Sequence, residues 1–107
     1  MGLLKWNKAF ALEQAADDAE LLQELLDIFK SSFASDLQQI KDGVAENDAS
    51  LVGSAAHSIK GAASSLGIDG IAELVKQIEE EAKGGGVAIA KGNLDKLDEM
   101  LAEINAL

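Results

Sequence analysis

Large apolar residues return every third or fourth position along one stretch of the chain: Leu22, Leu26, Phe29, Phe33, Leu37, Ile40 and Val44. That spacing draws a single stripe down an α-helix. Asp17, with Glu20 three residues later, forms an Asp-x-x-Glu variant of the capping box, and both acids suit the positive end of a helix dipole. The helix is therefore predicted from Asp17 to about Glu46, roughly 28 residues or about 40 Å. Leu21, Leu25 and Ile28 widen its stripe in the first half, as packing on an extra short helix requires. That short helix is predicted over residues 6–14, with Trp6, Phe10 and Leu12 as its large apolar residues. After Asn47, Asp48 is placed to cap a third helix running to Leu66, with Leu51, Val52, Ala55, Ile59, Ala62 and Leu66 facing inward. Gly67 suits the left-handed residue that closes a helix, and Ile68 beyond it can touch Ala63. Asp69 can cap a fourth helix striped by Ile71, Leu74, Val75 and Ile78, with Lys76, Gln77 and Glu79-Glu80-Glu81 largely outside the stripe. Gly84-Gly85-Gly86 reads as a flexible turn. A last helix carries Ala90, Leu94, Leu97, Leu101 and Ile104, with Gly92-Asn93 inside it or at its cap. The expected fold is all-α: one domain over residues 1–107, an antiparallel up-down-up-down four-helix bundle with a short extra N-terminal helix.

Composition narrows what such a bundle can do. The 107 residues are 48% hydrophobic and carry 19 acidic side chains against 9 basic ones, all lysine, for a formal net charge of −10. An acidic chain without arginine is a poor nucleic-acid binder. There is no cysteine, which removes disulfides, thiolate metal sites and cysteine nucleophiles. No apolar run is long enough to cross a membrane, and the first residues lack the pattern of a signal peptide, so a soluble cytoplasmic protein is expected. A chain of this size builds one helical core and no deep substrate cavity beside it. Any chemistry belongs on the surface.

One residue stands out there. On a wheel of the third helix the apolar stripe centres near Ile59 and Leu66, and His57, the only histidine, falls opposite. Many histidines pack into cores, but this one shares its face with Ser50, Gly53, Ser54, Gly61 and Ser64, none of them large. Glycines at 53 and 61 each weaken a helix by roughly 1 kcal/mol relative to alanine. The wheel sets both away from the stripe, which argues against helix packing as their reason and for clearance around the imidazole. A metal site needs more ligands than one histidine supplies, and position 54 is Ser54, so no Glu-x-x-His pair exists. Ser54 and Ser58 are near, but no oxyanion hole or cleft is implied for a serine triad. What remains for a lone exposed imidazole is nucleophilic attack. In its neutral form it can take a phosphoryl group as a phosphoramidate, with Lys60 three residues on to offer an ammonium to the phosphoryl oxygens.

His57-Ser58-Ile59-Lys60-Gly61-Ala62-Ala63, with Gly67 ten positions after the histidine, resembles the histidine phosphotransfer domain of two-component phosphorelays. The likeness extends over most of the chain, through Ala55-Ala56 before the histidine and Ile71 to Gly84 after it. It implies that His57 is the phosphorylated residue, taking phosphoryl from an aspartyl phosphate on one receiver domain and passing it to an aspartate on another. Lys60 would orient or neutralise the group and Gly61 would give the partner clearance. Gly53, Ser54, Ser58 and Ser64 would face the partner, and Gln77 or Lys76 on the next helix would hydrogen-bond near the imidazole. The partners implied are receiver domains of response regulators and hybrid histidine kinases. No metal or cofactor is expected on this chain, since magnesium would sit on the receiver. A monomer is expected, docking through small and apolar residues around His57.

Other readings are weaker. No Walker-type run is present, and Gly84-Gly85-Gly86 leads into Val87-Ala88 with nothing to hold a nucleotide, so autokinase activity is not expected. Gly67-Ile68-Asp69-Gly70 matches a KH loop by letters only. Asp48-Ala49-Ser50-Leu51 approaches the Asp-Ser-Leu attachment site of acyl-carrier proteins, but Ala49 interrupts it. A non-catalytic adaptor bundle is the remaining class.

Overall fold

A computed structural model describes residues 2–107 as a helical body of 42 × 22 × 20 Å. Six helices follow one another: α1 (Lys8–Gln14), α2 (Ala19–Ala45), α3 (Ala49–Ser65), α4 (Asp69–Lys83), α5 (Ala88–Gly92) and α6 (Leu94–Asn105). α2, α3, α4 and the α5–α6 pair form the antiparallel four-helix bundle, and α1 is the short extra helix.

Caps set most boundaries. Asp48 accepts from the Leu51 N–H at 3.1 Å, as anticipated. At the start of α2 the cap is Asp18, not Asp17: its carboxylate accepts from the N–H groups of Glu20 and Leu21, while Ala16 and Asp17 take left-handed conformations in the turn before it. α4 opens without a side-chain cap, and Asp69 is its first residue. At the end of α3, Gly67 has φ +68, its N–H donates to Ser64 O, and the Ile68 N–H donates to Ala63 O at 2.9 Å. That is the paired closure of a Schellman motif. The last helical stretch is interrupted at Asn93, whose amide donates to Ile89 O at 2.8 Å.

The N-terminus departs from its predicted form. Trp6 lies outside α1, in an extended segment that bridges antiparallel to Ile68, and its indole N–H donates to Leu66 O at 3.0 Å. Asn7 N–H donates to Gly67 O and Gly70 N–H to Leu4 O, so this segment grips the α3–α4 turn. A Cβ at Gly70 would run into the carbonyl of Leu3, which is why that position has no side chain.

The core follows the α2 stripe: Leu22, Leu26, Phe29, Phe33, Leu37 and Ile40 are buried, with Phe29 and Phe33 stacked at 5.5 Å. Of the three residues that widen the stripe, Leu21 and Ile28 are exposed, and only Leu25 packs against the core, beside Gln14 of α1. α3 is the central element, packed on α2 along one side and α4 along the other. It therefore buries Ala56 and Ala63 as well as Val52, Ala55 and Ile59, a wider arc than one stripe.

Candidate functional site

His57 lies near the middle of α3, and its side chain is 70% exposed. Its ring is not loose. Nδ1 is 2.7 Å from Oε2 of Glu79, and the other carboxylate oxygen, Oε1, accepts from the Lys60 ammonium at 2.6 Å. Glu79 belongs to α4, where Val75 lies one turn before it and Ala82 one turn after, both buried, and its own side chain is only 8% exposed. His57 and Lys60 are three residues apart on α3 and so present neighbouring tips to the facing helix.

An ionised acid at such depth needs partners, and this one has two. The Lys60 hydrogen bond is the main cause holding the Glu79 carboxyl below its ordinary range; burial pushes the other way, and the His57 hydrogen bond assists Lys60. The carboxylate is then an acceptor only, so the proton of a neutral imidazole must sit on Nδ1. Nε2 keeps its lone pair. The arrangement is an exposed imidazole fixed in one tautomer, with nucleophilic nitrogen outward and a charge-balanced acid behind it.

The residues singled out from the sequence differ in their surroundings. Lys60 stands with His57, but through Glu79; its side chain is 31% exposed, and its ammonium retains further N–H groups for another acceptor. Gly61 lies open: a Cβ there meets nothing within 4 Å. Ser54, Ser58 and Ser64 are exposed on the same helix, and among the described residues none of their hydroxyls has a protein partner. Gly53 lines the groove beside His57, but it has the packing reason that the wheel argued against: a Cβ there would come within 3.1 Å of Ala82 Cβ. It is a packing glycine between α3 and α4, since α3 has a neighbour on the side that a single-stripe wheel treats as open.

Gln77 is displaced from the site. It points away from His57 into a polar cleft shared with Lys5, Glu73 and Lys96, and Lys76 is likewise exposed. The residue that meets the imidazole is Glu79, which sequence reasoning placed outside the stripe. Its signal was its spacing, four after Val75 and three before Ala82, which sets it against the buried side of α4. An acid there implies a cation or donor on the next helix.

Two grooves border α3, and His57 lines the first. Between α3 and α4 an open groove is lined by Ser50, Gly53, Ser54, His57, Glu79 and Lys83 among others. Toward α2, Leu25, Phe29, Ala62 and Leu66 line a second, apolar groove, and Ile28, three residues after Leu25 on α2, stands 66% exposed. Among the described residues no three His, Asp or Glu side chains gather as a metal ion would need, and no helix is long and apolar enough to cross a membrane. Residues 24–107 match the family model described as the Hpt domain. No curated protein and no solved structure matches the chain.

Proposed function

The chain belongs to the Hpt domain family, which implies histidine phosphotransfer in a phosphorelay, and from that premise we propose that His57 carries the phosphoryl group between aspartates of receiver domains. The observation that supports this most is the 2.7 Å contact between Nδ1 of an exposed histidine and a buried carboxylate. In the forward step the Nε2 lone pair attacks phosphorus, forming the N–P bond while the P–O bond to the donor's aspartyl carboxylate breaks. The carboxylate leaves with the electron pair. The positive charge arising on the imidazole is balanced by Glu79 through the Nδ1–H group, which keeps its proton. The return to a second aspartate runs the same path backward.

Lys60 can hold Glu79 and still donate to a phosphoryl oxygen, since an ammonium has three N–H groups. Gly61 leaves room for the receiver's loops to approach, and the apolar side near Ile28 and Leu25 supplies docking area that a net charge of −10 cannot supply by attraction to an acidic receiver pocket. Magnesium, in this reading, is held by the receiver, and its part is to neutralise the phosphoryl oxygens there.

The test is transfer of labelled phosphoryl from a panel of receiver domains charged with a small phosphodonor. The expected product is an acid-labile, base-stable label that His57→Gln abolishes. A label that survives that substitution removes the assignment, and no label from any receiver favours a non-catalytic adaptor.

A further inference from the structure

The groove between α3 and α4 holds one cation that the chemistry above does not use. Lys83 lines it together with His57 and Glu79, and among the described residues it forms no ion pair. It follows Glu79 by four residues, one turn further along the same face of α4. Side chains on a helix lean toward its N-terminus, so the Lys83 stem runs back over the turn that carries Glu79, the level at which His57 is held. Gly53, Ser54 and Ala82 leave the space between them low.

Counting charge shows what this cation is for. Before transfer, Glu79 contributes −1, Lys60 +1 and the neutral imidazole nothing, so the cluster sums to zero. A phosphoryl group adds close to −2 near neutral pH, on a chain whose net charge is already −10. Lys60 lies 2.6 Å from a carboxylate oxygen, so its one positive charge already balances that acid even where a further N–H meets the phosphoryl group. The lysine that lines this groove is Lys83.

We infer that Lys83 is the electrostatic partner of the phosphorylated state: it swings over the groove to the phosphoryl group on His57 Nε2 and neutralises part of its dianionic charge. The inference rests on His57 being the phosphoacceptor. Lys83 makes and breaks no covalent bond; the Nε2–P bond forms as the donor's P–O bond breaks, and the ammonium then pairs with the phosphoryl oxygens. The unphosphorylated protein gains nothing from it.

The experiment needs no receiver. Wild type, Lys83→Met, Lys83→Arg and His57→Gln are treated with potassium phosphoramidate, a small direct donor, and the phosphohistidine is followed by 31P NMR. The phosphoryl group's last ionisation is titrated in low and high salt. Lys83→Met is expected to raise its midpoint by about 0.2–0.7 pH unit in low salt, as loss of one exposed ion pair implies. Lys83→Arg should restore the wild-type midpoint, and the difference should close near 1 M salt, where screening is nearly complete. Coincident midpoints for wild type and Lys83→Met in low salt would overturn the role of Lys83 and leave His57 intact. If wild type forms no phosphohistidine signal, or if His57→Gln forms the same one, the phosphoacceptor assignment fails and this inference falls with it.

Discussion

Replacing Glu79 with glutamine separates the charge of this side chain from its shape. The carboxylate can only accept, so it forces the imidazole proton onto Nδ1. An amide can turn either its oxygen or its NH2 toward the ring, and both tautomers then fit. A hydrogen bond to a charged group contributes about 1.5–3 kcal/mol and a neutral one about 0.5–1.5 kcal/mol. The difference, about 1–1.5 kcal/mol, is what holds the lone pair on Nε2 and balances the ring during attack, so phosphoryl transfer by Glu79→Gln should fall about five- to tenfold. Stability changes less than burial alone suggests. Breaking a fully buried ion pair costs about 3–5 kcal/mol, but Lys60 is 31% exposed and can turn to water, which reduces the expected loss to about 1–2 kcal/mol. The pH dependence has a definite sign. The Glu79 carboxyl titrates below its ordinary value in the folded protein, chiefly because of Lys60, so its contribution is full above the unfolded value, about 4.3, and is lost as pH falls through the lower folded one. Urea midpoints of wild type and variant should differ by a constant amount from pH 7 to 5 and converge in stronger acid. Histidine 15N shifts report the tautomer, and labelled-receiver assays report the rate. A folded Glu79→Gln protein with native transfer rate and native 15N shifts would show that Glu79 is only the structural partner of Lys60.

Three other substitutions probe the neighbours. Gly61→Leu should slow transfer by blocking the receiver's approach while leaving thermal stability equal or higher, by up to about 1 kcal/mol, because a side chain there meets open space; an unchanged rate removes the clearance role. Lys60→Ala should slow transfer and, by leaving Glu79 buried with only His57, lower stability by about 1–2 kcal/mol with the loss largest near neutral pH, as urea melts at pH 7 and pH 3 would show. Gly53→Ala, unlike Gly61→Leu, should destabilise the fold despite alanine's better helix propensity, and a rise in its melting temperature would refute the close α3–α4 approach.

Local chemistry was legible in the sequence wherever a residue acts on its own backbone. Asp48 caps α3 and Gly67 closes it because side-chain reach and left-handed φ are properties of a few consecutive residues. Asp17 and Asp18 could each have capped α2, and the choice depends on how the chain leaves α1. Trp6 was misplaced for a different reason: its apolar bulk suits a helix, yet its position is decided by Ile68 and the Leu66 carbonyl, some 60 residues away. His57, Lys60 and Gly61 could be read from one helix. Glu79 carried only its spacing from Val75 and Ala82 as a signal, and a carboxylate in a run of three looks like solvated surface until the helix 22 residues earlier supplies its partners.

The contrast between Gly53 and Gly61 carries the point furthest. Both sit one turn from His57, and on a wheel they flank it at about 40° to either side. α4 makes them different: it lies against the first and leaves the second open. The close approach at Gly53 is also what brings α4 near enough for Glu79 to reach the imidazole, since Ala82, the residue that Gly53 faces, is one turn from Glu79 on the same helix. A Cβ at position 53 must move α4 by a few tenths of an ångström, and hydrogen bonds of 2.6 and 2.7 Å weaken over that distance. Gly53 therefore sets the helix separation on which the tautomer depends, while Gly61 has open space beside it. Packing and reactivity at this site share one coordinate, the separation of α3 and α4. Substitutions along that seam should accordingly lower transfer rate and stability together, whereas Gly61→Leu should slow transfer without loss of stability and Lys83→Met should change charge balance alone.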